Sequence, residues 1–566
     1  MKNKLVHILV VSVATTFSAK VFAENQSIDA GVLQQQIQKD APDAFAAPLP
    51  DVTAPTSEQP QSEEALQILI KRVQLQGVHL LDEHALLEAL APSLGKSYSM
   101  QGLQKLVDVV TDFYSAHGFI VQAYLPEQSI QEEGVLIIQV LEAKLGNVKV
   151  ENKGRQARIS DERAADYVLT QNPVGQSLSI VSIAKGEALL NDLSGIKASS
   201  ALEAGEKEGE TNVHLSLSRT SLIDARMETK NGGSRSTGVA QVVASVAVNS
   251  PFNMGDQVGF YGLYSEGSTF NQLMYSLPIG YRGLRLTMTA NYLDYETTSP
   301  ALIGDAWVLG ANLSYPIKRS QSTNANLTAG VEKKGYLNRD LTTKTVNSSY
   351  QIQNLNLGGN VNHYDNLLGG GVTNVSGNLI FGHLDFSSDP LTKFQDSKDG
   401  PFTKFTFNVA RVQVLPVDGF QLNVNLNGQL SADNLNSSEK FYLGGPNGVR
   451  AYPVAQAGGS QGMLASIELQ KQLPQHLLAS VFFDAGRVQQ YKDPYNDVQT
   501  STGASNTYSL YGAGVGLKWN VGKLNLSGVV AWKLGHNPLL YSTNVRRDND
   551  GTDTNPRTWL NASYTF

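Results

Sequence analysis

Residues 420–427 read Phe-Gln-Leu-Asn-Val-Asn-Leu-Asn, an unbroken alternation of apolar and amide side chains. Only a strand sends neighbours to opposite faces, so Phe420, Leu422, Val424 and Leu426 share one face and Gln421, Asn423, Asn425 and Asn427 the other. The pattern returns at 284–292, where Leu284, Leu286, Met288, Ala290 and Tyr292 alternate with Arg285, Thr287, Thr289 and Asn291. Leu524, Leu526, Val530 and Trp532 repeat it around Asn525 and Ser527. One such strand would also fit a soluble sandwich. Across residues 220–566, however, the alternation continues as roughly sixteen segments, many of about 10–14 residues, an even number as bacterial transmembrane barrels require. The polar face is rich in Asn, Gln, Ser and Thr, as a hydrated lumen would want. The chain ends on Leu560, Ala562, Tyr564 and Phe566, which share a face. In a soluble domain that last strand would invite aggregation; in a barrel it closes against the first strand and meets lipid. The expected fold is mainly β, a sixteen-stranded antiparallel transmembrane barrel at 220–566.

The N-terminus gives the compartment. Lys2 and Lys4 precede an apolar run over residues 5–13, and Val21-Phe22-Ala23 has the small-x-small form of a cleavage site, so 1–23 reads as a secretory signal peptide. The run is too short to be a membrane anchor. The chain has 0 Cys in 566 residues, which suits a bacterial envelope protein rather than a disulfide-stapled secreted one. A net charge of -7 speaks against a nucleic-acid partner. Nine His residues show no metal-ligand spacing, no phosphate or dinucleotide fingerprint appears, and no pair of carboxylates reads as general acid and base, so no enzyme, cofactor or metal is expected.

Between signal and barrel the periodicity is helical. Residues 27–39 form a short amphipathic segment within 24–40, with Ile28, Val32, Leu33 and Ile37 on one stripe, glutamines filling most of the rest, and Ser27 or Asp29 placed to cap it. So short a helix is marginal in water and must dock against something. Residues 41–65 carry five prolines and read as an extended linker. Two β-α-α-β-β units follow, at 66–143 and 144–219, each too small to hold a deep catalytic cleft. In the first, Leu103, Leu106 and Val110 lie at helical spacing, and Phe119 and Val121 open the next strand.

Within the barrel region, "GGPNGVRAYP" at 444–453 places one cation in a Gly/Pro loop between the eleventh and twelfth expected strands, on the extracellular side. "VFFDAGRV" at 481–488 supplies an aspartate inside a strand. These stretches, with "YSAHGF", "LPEQSIQEEG" and "VLEAKLGNVKV" in the first αβ unit and "LLNDLSGI", "ALEAG" and "EGETNVHL" in the second, resemble the TpsB outer-membrane transporters of two-partner secretion, over essentially all of residues 24–566. The resemblance implies a plug helix, two periplasmic POTRA (polypeptide-transport-associated) domains and an export barrel. It further implies that the loop Gly448-Val449-Arg450-Ala451-Tyr452 folds into the lumen, where Arg450 pairs with Asp484 of the strand motif Phe482-x-Asp484-x-Gly486, with Tyr452 beside the pair. Gating and barrel stabilisation both stay open as roles for that pair. The implied partner is a large secreted exoprotein, recognised through its N-terminal secretion domain by the first POTRA around residues 103–123; the transporter itself would be a monomer in outer-membrane lipid. A barrel-insertion factor of the same superfamily and a passive porin are the rival readings. Ala451 stands where the family usually has glycine, which would strain the loop if that position needs positive φ.

Overall fold

The computed structural model describes residues 28–41, 68–128, 134–298, 301–388, 399–494, 505–538 and 547–566. The expected signal peptide at 1–23 and the linker beyond residue 41 lie outside these.

Helix α1 (Ala30–Asp40) is capped by Asp29, whose side chain accepts from the Val32 amide at 2.9 Å. The first αβ unit holds α2 (Glu83–Leu90) and α3 (Met100–Ala116) against a three-stranded sheet. In that sheet Arg72–Gln76 runs parallel to Val135–Glu142, which is antiparallel to Val121–Tyr124. Ser99 caps α3, and its stripe of Leu103, Leu106, Val107, Val110 and Tyr114 makes the core. The opening strand of this unit is split in two, Ile68–Ile70 and Arg72–Gln76. The Lys71 and Arg72 amides both donate to the Gly134 carbonyl, and there the chain crosses from a small sheet, Ile68–Ile70 with Lys96–Tyr98, into the main one. The second unit repeats the plan with α4 (Asp161–Leu169), α5 (Ile180–Asn191) and the strands Lys144–Asn152, Ile196–Ala204 and Glu210–Arg219.

Sixteen strands then close into one antiparallel barrel, from Ile223–Lys230 to Arg557–Thr565, which pair with each other. Strand lengths run from 8 residues at Ile223–Lys230 to 20 at Val346–Asp365, a wider range than the alternation indicates. At about 3.3 Å per residue and a tilt near 40°, twenty residues rise about 50 Å, well past an apolar band of about 25 Å. The long wall therefore continues beyond the membrane, with polar residues on both faces where apolar alternation no longer marks a strand. Outward positions such as Val331, Leu355, Ile467, Val481 and Phe483 are exposed apolar side chains, as a lipid-facing belt requires. Tyr564 and Phe566 pack edge to face at 5.0 Å on that outer surface.

The second αβ unit is bolted to the periplasmic turns. Arg319 Nε donates to the Asp192 carboxylate at 2.8 Å and Arg285 Nη2 to the Asp192 carbonyl at 3.0 Å, so two wall cations meet the C-terminal end of α5. Tyr281 packs edge to face on Tyr167 at 5.4 Å. The first unit is joined to the second by main-chain hydrogen bonds, Leu178 to Ala143 at 2.8 Å and Ile180 to Gly118 at 2.9 Å.

Candidate functional site: the occupied lumen

Among the described residues, two elements that are not part of the wall reach inside the barrel. The first is α1. Ile28, Val32, Leu33 and Ile37 are buried in one cluster with Tyr261, Phe270, Tyr295, Tyr336, Tyr350 and Phe402 of the inner wall. The lumen at this level is thus lined by aromatic rings, and the apolar stripe of α1 faces them. The glutamines meet the polar remainder: Gln34 hydrogen-bonds Asn291, and Gln35 Nε2 donates to the Lys440 carbonyl at 2.8 Å. The Ala30 amide donates to Asn338 at 3.1 Å.

The second element is the loop between the eleventh strand, Phe420–Ser431, and the twelfth, Gln461–Leu473. It turns inward and brings its tip against the thirteenth strand, Leu477–Gln489. Main-chain bonds hold the tip in a compact knot: Val449 to Leu443 at 2.7 Å, Gly448 to Gly445 at 3.0 Å and Tyr452 to Val449 at 3.0 Å. Arg450 donates through Nε and Nη2 to the two oxygens of Asp484, at 2.9 and 2.8 Å, the bidentate geometry that planar guanidinium and carboxylate favour. Its own amide adds a third bond to Asp484 at 3.1 Å. Asp484 is fully buried and Arg450 12% exposed, so the charges are paired in a site largely closed to water.

Several partners of the clamp are not evident from the motif alone. Arg450 Nη1 donates to Glu468 at 2.6 Å and Nη2 to Ser466 at 3.1 Å. Glu468 and Ser466 share the lumen face of the twelfth strand, so alternation could have placed them there, but only the folded loop selects them. The ring against the guanidinium is Phe482, 3.3 Å from its centroid. Tyr452 does not sit there; it is buried beneath Lys533, whose Nζ lies 5.4 Å from the ring. Trp559 of the last strand donates to the Arg450 carbonyl at 2.8 Å. Gly486 faces Leu443 of the loop.

Ala451 takes no positive φ, so alanine is unstrained there; Ala455 and Ala457 carry positive φ instead, at 58° and 61°. Ala451 is tolerated because the wall gives way to it. A Cβ at Gly512 would lie 2.8 Å from the Ala451 Cβ, so the wall glycine makes the room that the loop residue uses.

The αβ residues expected to contact a partner need correction. Leu103, Leu106, Val110 and Val121 are buried in the core of their own domain, and Phe119 bridges to Ser179 at the junction of the two units. An apolar stripe at helical spacing marks the packed side of a helix. What remains accessible is the edge strand Val121–Tyr124, with Gln122 and Tyr124 outward, and the exposed Met100 of α3.

Outside the barrel, hydrogen bonds to Glu203 and then Glu151, both at 2.9 Å, hold the His214 imidazolium above its ordinary pKa despite partial desolvation.

A family described as "Haemolysin secretion/activation protein ShlB/FhaC/HecB" matches residues 209–519, more than half the chain, and one described as "POTRA domain, ShlB-type" matches 68–143. The Heme/hemopexin transporter protein HuxB of Haemophilus influenzae is 26% identical over 532 residues, covering 90% of this chain and 91% of that protein. Outer membrane transporter CdiB of Dickeya dadantii is 24% identical over 504 residues, covering 84% and 85%. Among solved structures, CdiB from Escherichia coli superposes with a TM-score of 0.69 at 21% identity, over 94% of this chain and 97% of that one. The closed wall, the inward loop and the paired αβ units thus coincide with the family match, and the chain belongs to the haemolysin secretion/activation family, the TpsB transporters of two-partner secretion, with its barrel in the outer membrane and its POTRA domains in the periplasm.

Proposed function

We propose that this transporter exports one large exoprotein, captured by the POTRA pair through the exoprotein's N-terminal secretion domain and passed unfolded through the lumen. The observation that carries the reading is the occupancy of the lumen: a narrow helix tethered by a chain segment, and a loop held by charges, are both displaceable without breaking the wall. Capture falls to the edge strand Val121–Tyr124, whose free side can pair with an extended segment while Gln122 and Tyr124 read its side chains. Helix α1 acts as a resting plug, and the Pro-rich linker at 41–65 gives it the reach to leave. The pair Arg450–Asp484 keeps the loop tip on the wall. Direction comes from folding of the exoprotein outside, since burial of its apolar surface there opposes return. The chain works as a monomer surrounded by outer-membrane lipid and as a conduit rather than an enzyme. A partner that handles heme or hemopexin is the first to test, since HuxB is a heme/hemopexin transporter; a contact-dependent toxin is the second.

Proteoliposomes test this. The purified transporter should move its cognate exoprotein across the bilayer and leave the folding rate of unrelated barrels unchanged. Faster folding of unrelated barrels would indicate an insertion factor, and passage of small solutes alone a porin.

A further inference from the structure

Arg450 holds only the tip of the inward loop; its base is held separately. That base makes one turn of 3-10 helix, Ser437–Glu439, and Glu439 reaches two wall cations, one on the strand beside the loop's own root and one on the seventh strand. Lys404 Nζ lies 2.6 Å from one carboxylate oxygen and Lys334 Nζ 3.1 Å from the other. The Glu439 carbonyl also accepts from Lys404 at 3.0 Å and from Gln429 at 2.9 Å. Glu439 is 3% exposed and Lys404 5%, and among the described residues the only other carboxylate paired with either lysine is Glu332, 3.2 Å from Lys334. Two ammonium groups and two carboxylates balance. Without Glu439, Lys404 would be left buried and unpaired, which is strongly unfavourable.

Helix α1 rests on this same turn. One oxygen of Asp29 caps the helix, and the other accepts from Ser437 Oγ at 2.6 Å. Gln35 binds the next carbonyl, Lys440, at 2.8 Å. The closest approach comes at Gly31, where a Cβ would overlap that of Ser438 and lie 2.8 Å from the Tyr350 hydroxyl.

We propose that the Ser437–Glu439 turn is the seat of the plug, and that Glu439, pinned between Lys334 and Lys404, is the positioning residue that sets the closed state independently of the Arg450 clamp. This rests on the reading of α1 as a plug. The loop is then two devices in series: a tip fixed by one ion pair and a base that presents a rigid docking surface. The cavity beside it, about 180 Å³ and lined by Gln35, Gln38, Lys334, Asn354 and Lys404, marks where the helix and the pinned turn meet the wall.

Single-channel recording in planar bilayers tests this with full-length protein, a 27–39 deletion, Glu439→Gln, Gly31→Leu, and Glu439→Gln within the deletion. The deletion should open the channel. Glu439→Gln and Gly31→Leu should each lengthen the time spent at the deletion's conductance at least about tenfold, the result of a buried charge losing its partner or of a blocked approach. Within the deletion, Glu439→Gln should change nothing further. If the deletion opens the channel while Glu439→Gln stays closed, the seat is wrong and the plug stands. If Glu439→Gln alters conductance equally within the deletion, it acts on the wall, and the proposal fails. A deletion without effect removes plug and seat together. Should Glu439→Gln lose heat-modifiable mobility, Gly31→Leu decides, because α1 is no part of the wall, and a closed Gly31→Leu channel would overturn the seat.

Discussion

Arg450→Ala should release the tip of the inward loop. In the folded protein the Arg450 guanidinium makes two hydrogen bonds to Asp484, one to Glu468 and one to Ser466. Its removal leaves Asp484, fully buried, and Glu468, 14% exposed, without the cation that bridges them. Breaking one partner out of a buried ion pair costs about 3–5 kcal/mol. At 1.4 kcal/mol per decade, that raises the released fraction of the loop roughly 100-fold to several thousand-fold. The chain has no cysteine, and Val449 beside Arg450 is fully buried, so Val449→Cys is a single reporter that a maleimide reaches only when the tip lifts. Labelling should be slow in Val449→Cys alone and faster by two to three orders of magnitude with Arg450→Ala added. Glu468→Gln, which costs only one charge-assisted bond worth about 1.5–3 kcal/mol, should give an intermediate rate. The triple change Arg450→Ala, Asp484→Ala, Glu468→Gln should label more slowly than Arg450→Ala alone, because no orphaned carboxylate remains. A labelling rate within about threefold of the parent on loss of Arg450 would refute the claim that this cation docks the loop.

Two further outcomes follow from neighbouring geometry. Gly512→Ala sets a methyl against Ala451 and should speed the same labelling through about 1–3 kcal/mol of overpacking, while Ala451→Gly added to it should restore the parent rate. His214, raised by Glu203 and Glu151, is protonated more readily folded than unfolded. Its contribution is therefore full below its unfolded pKa of about 6.5 and is lost as pH rises through the higher folded value. Hydrogen exchange in the strand Glu210–Arg219, corrected for intrinsic rates, should show protection falling over that window, and His214→Gln should abolish the fall.

The wall was legible because alternation is local: each strand such as Phe420–Ser431 declares its two faces without reference to its neighbours. Strand ends were less so, since polar stretches such as Asn347-Ser348-Ser349 continue as strand with no apolar face to mark them. The tip clamp could be anticipated only through the loop and strand motifs together. Glu468 and Ser466 join Arg450 because the loop turns inward, and nothing in their own segments announces it; Phe482 belongs to the strand motif, but not its stacking on the guanidinium. The stripe of α1 was readable, but not its seat: Tyr295, Tyr336, Tyr350 and Phe402 come from separate strands and form a lining only when the sheet closes. Glu439 is the extreme case, with partners 105 and 35 residues away in sequence. The partner-facing residues of the first POTRA were misjudged for a physical reason: Leu103, Leu106 and Val110 are apolar because they form its core.

The central claim is that the exported chain runs inside the wall. An exoprotein fused to a stably folded domain should stall in transit, and in this cysteine-free chain a single cysteine then reports position by cross-linking. Asn356→Cys on the lumen face should join the stalled chain, whereas Leu355→Cys and Leu357→Cys, outward and 44% exposed, should not. Cross-links from the two leucine positions with none from position 356 would place the path outside the barrel and contradict the account.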